Sequence, residues 1–129
     1  MIMEEGLEAR YERHSRNAAA LRAGLEALGL RLAAPEGYRL DQITPVWVPE
    51  GVDDLEVRQM LLRNYSIEIG RGLGAYAGKV WRVGLMGDSS KPEHVLALLA
   101  ALESILPRVG FEAARGAGVA AASQAMARG

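Results

Sequence analysis

The chain has 129 residues, half of them hydrophobic and 5% aromatic, which suits one domain with an aliphatic core. Its net charge of −1, with arginines interspersed among glutamates, argues against a nucleic-acid footprint or a polybasic membrane patch. Cysteine is absent, excluding disulfides, thiol catalysis and cysteine metal sites. No apolar run is long enough to span a bilayer and Met1-Ile-Met-Glu-Glu lacks signal-peptide character, so a cytoplasmic protein is expected.

The first predicted element is a helix over residues 3–28. Met3, Leu7, Tyr11, His14, Ala18, Leu21, Leu25 and Leu28 recur at steps of three and four, and Gly29 is a natural stop. The stripe could form a coiled-coil seam, but its short length and the interior Gly24 favour packing on a sheet. A short strand near Leu30–Ala33 and a Pro35-Glu-Gly loop follow. Then comes a strand over Gln42–Val48, with Thr44, Val46 and Val48 on one face. Pro45 lacks an amide donor, which suits an edge strand or a strand start. Asp53 with Glu56 three residues on forms a capping-box pattern, opening a helix over 54–64 that buries Val57, Met60, Leu61 and Leu55.

Ile67 and Ile69 alternate as a brief strand, and a glycine-rich link over 70–78 leads to a strand from Val80 to Met86. Ser90 and Glu93 around Pro92 repeat the capping pattern. They precede a helix whose Val95, Leu98, Leu99, Leu102 and Leu106 form a stripe, ended by Pro107. Residues 108–129 shift in composition to eight alanines and four glycines, anchored by Phe111, Val119 and Met126. Residues 117–127 could form a short helix, which would be marginal in water without a surface to pack on. The predicted fold class is therefore α+β: a small, largely antiparallel sheet of about four strands with helices on one face. Residues 1–107 form the domain, and 108–129 a partly helical tail.

Alternation on the Val80–Met86 strand puts Trp81, Val83 and Leu85 on one face and Val80, Arg82, Gly84 and Met86 on the other. The first face reads as core. The second sets a guanidinium beside a glycine, leaving room over a fork of donors suited to a carboxylate or phosphate. On spacing alone, a solvated or locally paired arginine is the commoner arrangement.

The segment Ile67-Glu-Ile-Gly-x-Gly-Leu-Gly74, followed by Ala77-Gly-Lys-Val-Trp-Arg-Val-Gly-Leu-Met-Gly87, resembles the C-terminal small domain of class V pyridoxal-phosphate-dependent aminotransferases. The similarity is to the serine/alanine–glyoxylate type. Glu5-Gly-Leu-Glu-Ala-Arg-Tyr-Glu-Arg-His14, Asn17, Leu21-Arg-Ala-Gly-Leu-Glu-Ala-Leu-Gly29, Pro35-Glu-Gly-Tyr38 and Val48-Pro-Glu-Gly-Val52 agree with it. So do Pro92-Glu-x-Val95 and Gly116-Ala-Gly-Val-Ala-Ala-Ala122. The likeness covers nearly the whole chain in order. It implies that Arg82 binds the α-carboxylate of an amino acid or keto acid substrate. It also implies that the lysine forming the Schiff base with pyridoxal phosphate, and the aspartate pairing with the pyridine nitrogen, belong to a larger N-terminal domain.

The two lysines here, Lys79 and Lys91, stand in contexts unlike the cofactor lysine, so no bound cofactor and no transamination are expected of the chain alone. Arg71 stands where relatives usually show glycine, and Tyr76 where a smaller residue or proline is common; Arg71 is assigned no role.

The other candidates read structurally. Gly72-Leu-Gly-Ala-Tyr-Ala77 fits a degenerate dinucleotide fingerprint, but a strand rather than a helix follows it, so nucleotide binding is rejected. His14 and His94 are isolated and suit the surface, with no metal site implied. Asp53-Asp54 and Asp88-Ser-Ser read as caps and turns. No Ser, His and Asp grouping suggests a nucleophile. The alternative function is a stand-alone α+β module that binds small acids or a protein partner without catalysis. A likeness to cysteine desulfurases or phosphoserine aminotransferases fits the arginine strand less well. Separated from a large catalytic domain, the small domain would expose apolar surface, so a homodimer through the first helix or the tail is expected.

Overall fold

A computed structural model describes residues 2–33, 43–72, 74–84, 91–113 and 116–128; for residues 2–14, Ile43 and Arg128 it describes the backbone alone. Helix α1 (Ile2–Ala27) ends as its sequence predicts. Gly29 takes φ 95°, Leu30 N–H donates to the Leu25 carbonyl at 3.1 Å and Gly29 N–H to the Glu26 carbonyl at 3.0 Å, a Schellman closure. Ala18, Leu21, Leu25 and Leu28 are buried, while the side chains of Met3, Leu7, Tyr11 and His14 lie outside the described residues.

Three antiparallel strands, β1 (Ile43–Trp47), β2 (Gly70–Arg71) and β3 (Val80–Gly84), lie in the order β1-β3-β2. The strand predicted near Leu30–Ala33 is present as a single bridge, Leu32 to Val46, beside β1. Trp47 N–H donates to the Arg31 carbonyl and Ala33 N–H to the Pro45 carbonyl, both at 2.8 Å. By alternation the imide nitrogen of Pro45 faces that same side, where the ladder is short and a missing donor costs least.

The strand expected at Ile67–Ile69 lies later in the chain. Residues 66–69 are not in a strand, and the pairing with β3 is made by Gly70 and Arg71. Ile69 nevertheless reaches the core. The glycine-rich link thus begins as β2 and continues as a 3₁₀ turn at Gly74–Tyr76. Leu85 and Met86 of the predicted third-strand run lie outside the described residues.

Helix α2 (Asp54–Tyr65) is capped as predicted: the Asp53 carboxylate accepts from the N–H groups of Leu55 at 2.9 Å and Glu56 at 3.3 Å. Val57 and Leu61 are buried, but Leu55 is half exposed. The helix turns Asp54 inward instead, and Arg58 holds it with two bonds, Nε to Oδ1 at 2.9 Å and Nη2 to Oδ2 at 3.0 Å. That hydrogen bond is the main reason the Arg58 guanidinium titrates above its ordinary range.

Helix α3 (Pro92–Ile105) buries Val95, Leu98, Leu99, Leu102 and Ile105, and passes into a 3₁₀ turn at Leu106–Val109 that contains Pro107. Its N-cap residue is Lys91, with no side-chain cap bond, rather than Ser90, which lies outside the described residues. Helix α4 (Ala117–Arg128) packs against α1 and α3 and places Ala122 in the common core. Two glycines allow that close approach. A Cβ on Gly24 would collide with Leu99 Cδ1 and meet the Gly118 carbonyl at 2.9 Å; one on Gly118 would meet Leu28 at 2.9 Å. Glu103 of α3 closes the start of α4, its carboxylate accepting from Gly116 N–H at 2.8 Å and Val119 N–H at 3.2 Å.

One apolar core joins the helices to one face of the sheet. Val46, Trp81 and Val83 belong to it together with Leu21, Leu25 and Leu99. The α+β class with helices on one face is what the structure shows, with three strands and a bridge among the described residues.

Candidate functional site

The opposite face of the sheet, away from the core that the described helices form, carries Arg82. Register places it between two residues that leave room: Pro45 on β1 and Gly70 on β2. Its side chain lies over Gly70, where a Cβ would sit 3.4 Å from Nη2 and 3.5 Å from Nε. The Nε–H donates to the Arg71 carbonyl oxygen at 3.0 Å. One donor is thereby spent on orientation, and the Nη groups meet no carboxylate among the described residues. Arg82 is half-buried. A planar fork held at its base, with its terminal donors available, suits an anion better than a freely rotating surface arginine does.

Arg71 pairs with Trp81 across the strands, so its side chain leaves the sheet on the opposite face from Arg82. It therefore adds no second cation beside Arg82 and contributes its main chain alone. Val80 shares the Arg82 face; it is 5% exposed yet lies outside the helix-side core. Its register partner is Trp47, whose ring stands edge-on to Tyr76 with centroids 6.0 Å apart at 62°. Sequence reading passed over Trp47. Its alternation with Val46 already assigned it to this face, but the contact with Tyr76 spans a distance in sequence that no local pattern reports.

The remaining candidates stay apart from this site. Lys79 ends the turn after Tyr76 and Lys91 precedes α3; both are exposed. The Gly72 backbone approaches the 3₁₀ turn so closely that a Cβ would overlap the Tyr76 carbonyl oxygen, with the Val80 carbonyl at 3.0 Å. Its glycine is thus explained by packing. His94 is at the exposed start of α3, the His14 side chain lies outside the described residues, and Asp53 is a cap. Among the described residues no group of three or more His, Asp or Glu side chains could hold a metal. Among the described helices none is long and apolar enough to cross a membrane.

A small antiparallel sheet, covered by helices on one side and carrying a tethered arginine on the other, defines an α+β domain. Comparison with known proteins says which kind. The chain is 46% identical over 117 residues to (S)-ureidoglycine–glyoxylate transaminase of Bacillus subtilis, covering 89% of this chain and 28% of that protein. It is 39% identical over 124 residues to serine–glyoxylate aminotransferase of Arabidopsis thaliana, covering 95% and 31%. A crystal structure of pyridoxamine–pyruvate aminotransferase from Mesorhizobium loti superposes with a TM-score of 0.90 at 35% identity, covering 98% of this chain and 32% of that one. No family model matches. The chain belongs with the class V aminotransferases, matching their small C-terminal part. It spans about three-tenths of the length of the curated relatives it matches.

Proposed function

We propose that this chain serves as the substrate-closing small domain of a pyridoxal-phosphate-dependent aminotransferase that moves an amino group to glyoxylate or another keto acid. Residues 1–107 form the domain proper and 108–129 its helical tail. The observation that carries the proposal is Arg82: a half-buried guanidinium, tied through Nε to the Arg71 carbonyl and flanked by Gly70 and Pro45, on the face of the sheet away from the core. In this role Arg82 grips the α-carboxylate through its Nη donors and so turns the substrate's amino group toward the cofactor. Pyridoxal phosphate supplies the electron sink for transamination. Lys79 and Lys91 are both exposed, which supports assigning the Schiff-base lysine and the pyridine-nitrogen aspartate to a large catalytic domain outside these residues. That domain is the principal partner; a homodimer and a cytoplasmic setting complete the proposal.

In the assembled enzyme, Arg82→Ala is expected to cost about 2–4 kcal/mol of substrate binding, because the carboxylate loses a bidentate, charge-assisted contact. Arg82→Lys restores the charge but not the fork and falls between. Steady-state kinetics decides it, and an unchanged KM and kcat in the alanine variant refutes the role. The 129-residue chain mixed with pyridoxal phosphate is expected to show no specific internal-aldimine absorbance, only weak lysine adducts. A stable, stoichiometric band would overturn the assignment of the cofactor lysine elsewhere.

A further inference from the structure

The Arg82 face of the sheet carries a second feature beside its arginine. Trp47 and Tyr76 meet edge to face at its β3-start end, beside Val80, which is buried without belonging to the helix-side core. Val80 and Arg82 lie two residues apart on one face of β3, and Trp47 lies opposite Val80, so Trp47 is the diagonal neighbour of Arg82. Such diagonals span about 7–8 Å, within reach of an aromatic ring. Tyr76 is 55% exposed and Trp47 partly so, leaving their outer surfaces open to a ligand.

The described strand residues that share this face with Arg82 and Trp47 include Pro45, Gly70, Val80 and Gly84, all uncharged. Arg71, the neighbouring cation, projects from the other face. A ligand whose carboxylate sits on Arg82 therefore lays its other end along apolar and aromatic surface. A second carboxylate placed there would lose hydration without a countercharge from the strand residues named.

We propose that Trp47 and Tyr76 form a side-chain subsite of the Arg82 site, favouring monocarboxylates with a flat apolar group over dicarboxylates and over the smallest acids. This rests on Arg82 being the carboxylate anchor. An aromatic group stacked on the Trp47–Tyr76 corner gains ring contact and apolar burial that acetate-sized ligands cannot.

The test is an NMR titration of the 129-residue chain with 3-phenylpropionate, acetate and succinate, following the Trp47 indole N–H and using the buried Trp81 as an internal control. The expected result is about tenfold tighter binding of 3-phenylpropionate than of acetate, with no advantage for succinate. Trp47→Ala and, independently, Tyr76→Ala bring that ratio to within about twofold while leaving acetate unchanged. The exposed Tyr76 makes its variant the safer one for folding. Arg82→Ala abolishes saturable binding of all three acids. A ratio near one in the unaltered chain, a ratio untouched by both aromatic variants, or a preference for succinate overturns the subsite while the anchor stands. Acids that still bind equally well to Arg82→Ala, or a chain that takes up none of them, overturn the anchor and the subsite with it.

Discussion

Two faces of one strand divide the labour of this domain. On β3, Trp81 and Val83 point into the helix-covered core, whereas Arg82 and Gly84 point away from it. Neighbouring residues, about 3.3 Å apart along the chain, thus answer to opposite demands. The covered face is filled by large apolar groups and holds the fold together. The other face is arranged differently: glycine and proline flank the arginine, and the anchoring bond comes from a main-chain oxygen. The core face and the arginine face can therefore be perturbed separately, and the following variants are chosen to break or sharpen that separation.

The largest effect is expected at Trp81, which is 1% exposed. Trp81→Ala should cost about 3–5 kcal/mol in chemical denaturation, enough to threaten folding. Its indole N–H has no acceptor among the described residues, so Trp81→Phe should cost far less, because that variant removes an unpaired donor along with some area. By contrast Arg82→Ala should leave the denaturation midpoint almost where it was, with a change within about 0.5 kcal/mol. If Arg82→Ala unfolds the chain, the two faces are not separable. Gly72→Ala sets a methyl against the Tyr76 and Val80 carbonyls, and should cost about 1–3 kcal/mol while shifting the Tyr76 resonances.

Away from the sheet the effects shrink. Glu103→Ala removes the carboxylate that closes α4 and should cost about 1 kcal/mol, read by faster amide exchange at Gly116 and Val119 than elsewhere. Arg58→Ala should cost about 0.5 kcal/mol by denaturation, the scale of an i,i+4 pair near the surface. The sign of its pH dependence follows from the raised guanidinium pKa. The pair's contribution is fully present below arginine's ordinary value and disappears only as strong alkali titrates the folded form, so the difference between Arg58→Ala and the parent should be level through neutral pH on the arginine's account.

Local chemistry made much of this legible beforehand. Asp53 announced its helix because a short acid just before an apolar run has amides to accept from, and Gly29 its stop because a left-handed residue was needed. The split between Trp81 and Arg82 followed from a period of two. What escaped depended on partners distant in the sequence. The Gly70–Arg71 strand has poor intrinsic preference for extended structure and exists through its pairing with β3, so the more strand-like Ile67 and Ile69 drew the boundary too early. The clasp of Glu103 on α4 links residues 13 and 16 positions apart, beyond any capping motif. Leu55 looked like core by hydrophobicity, yet the ion pair of Asp54 with Arg58 shows that the helix presents another side. At the site, the strand pattern placed Arg82 on its face, but the direction of its tether and the reversal of Arg71 needed the register.

That tether has a consequence for how the domain can diversify. Because Arg82 leans on the carbonyl of residue 71 and not on its side chain, the identity of that residue is uncoupled from the aim of the guanidinium. Position 71 can change its chemistry on the sheet's rim, trading one set of neighbours for another, while the guanidinium beside it keeps its bearing.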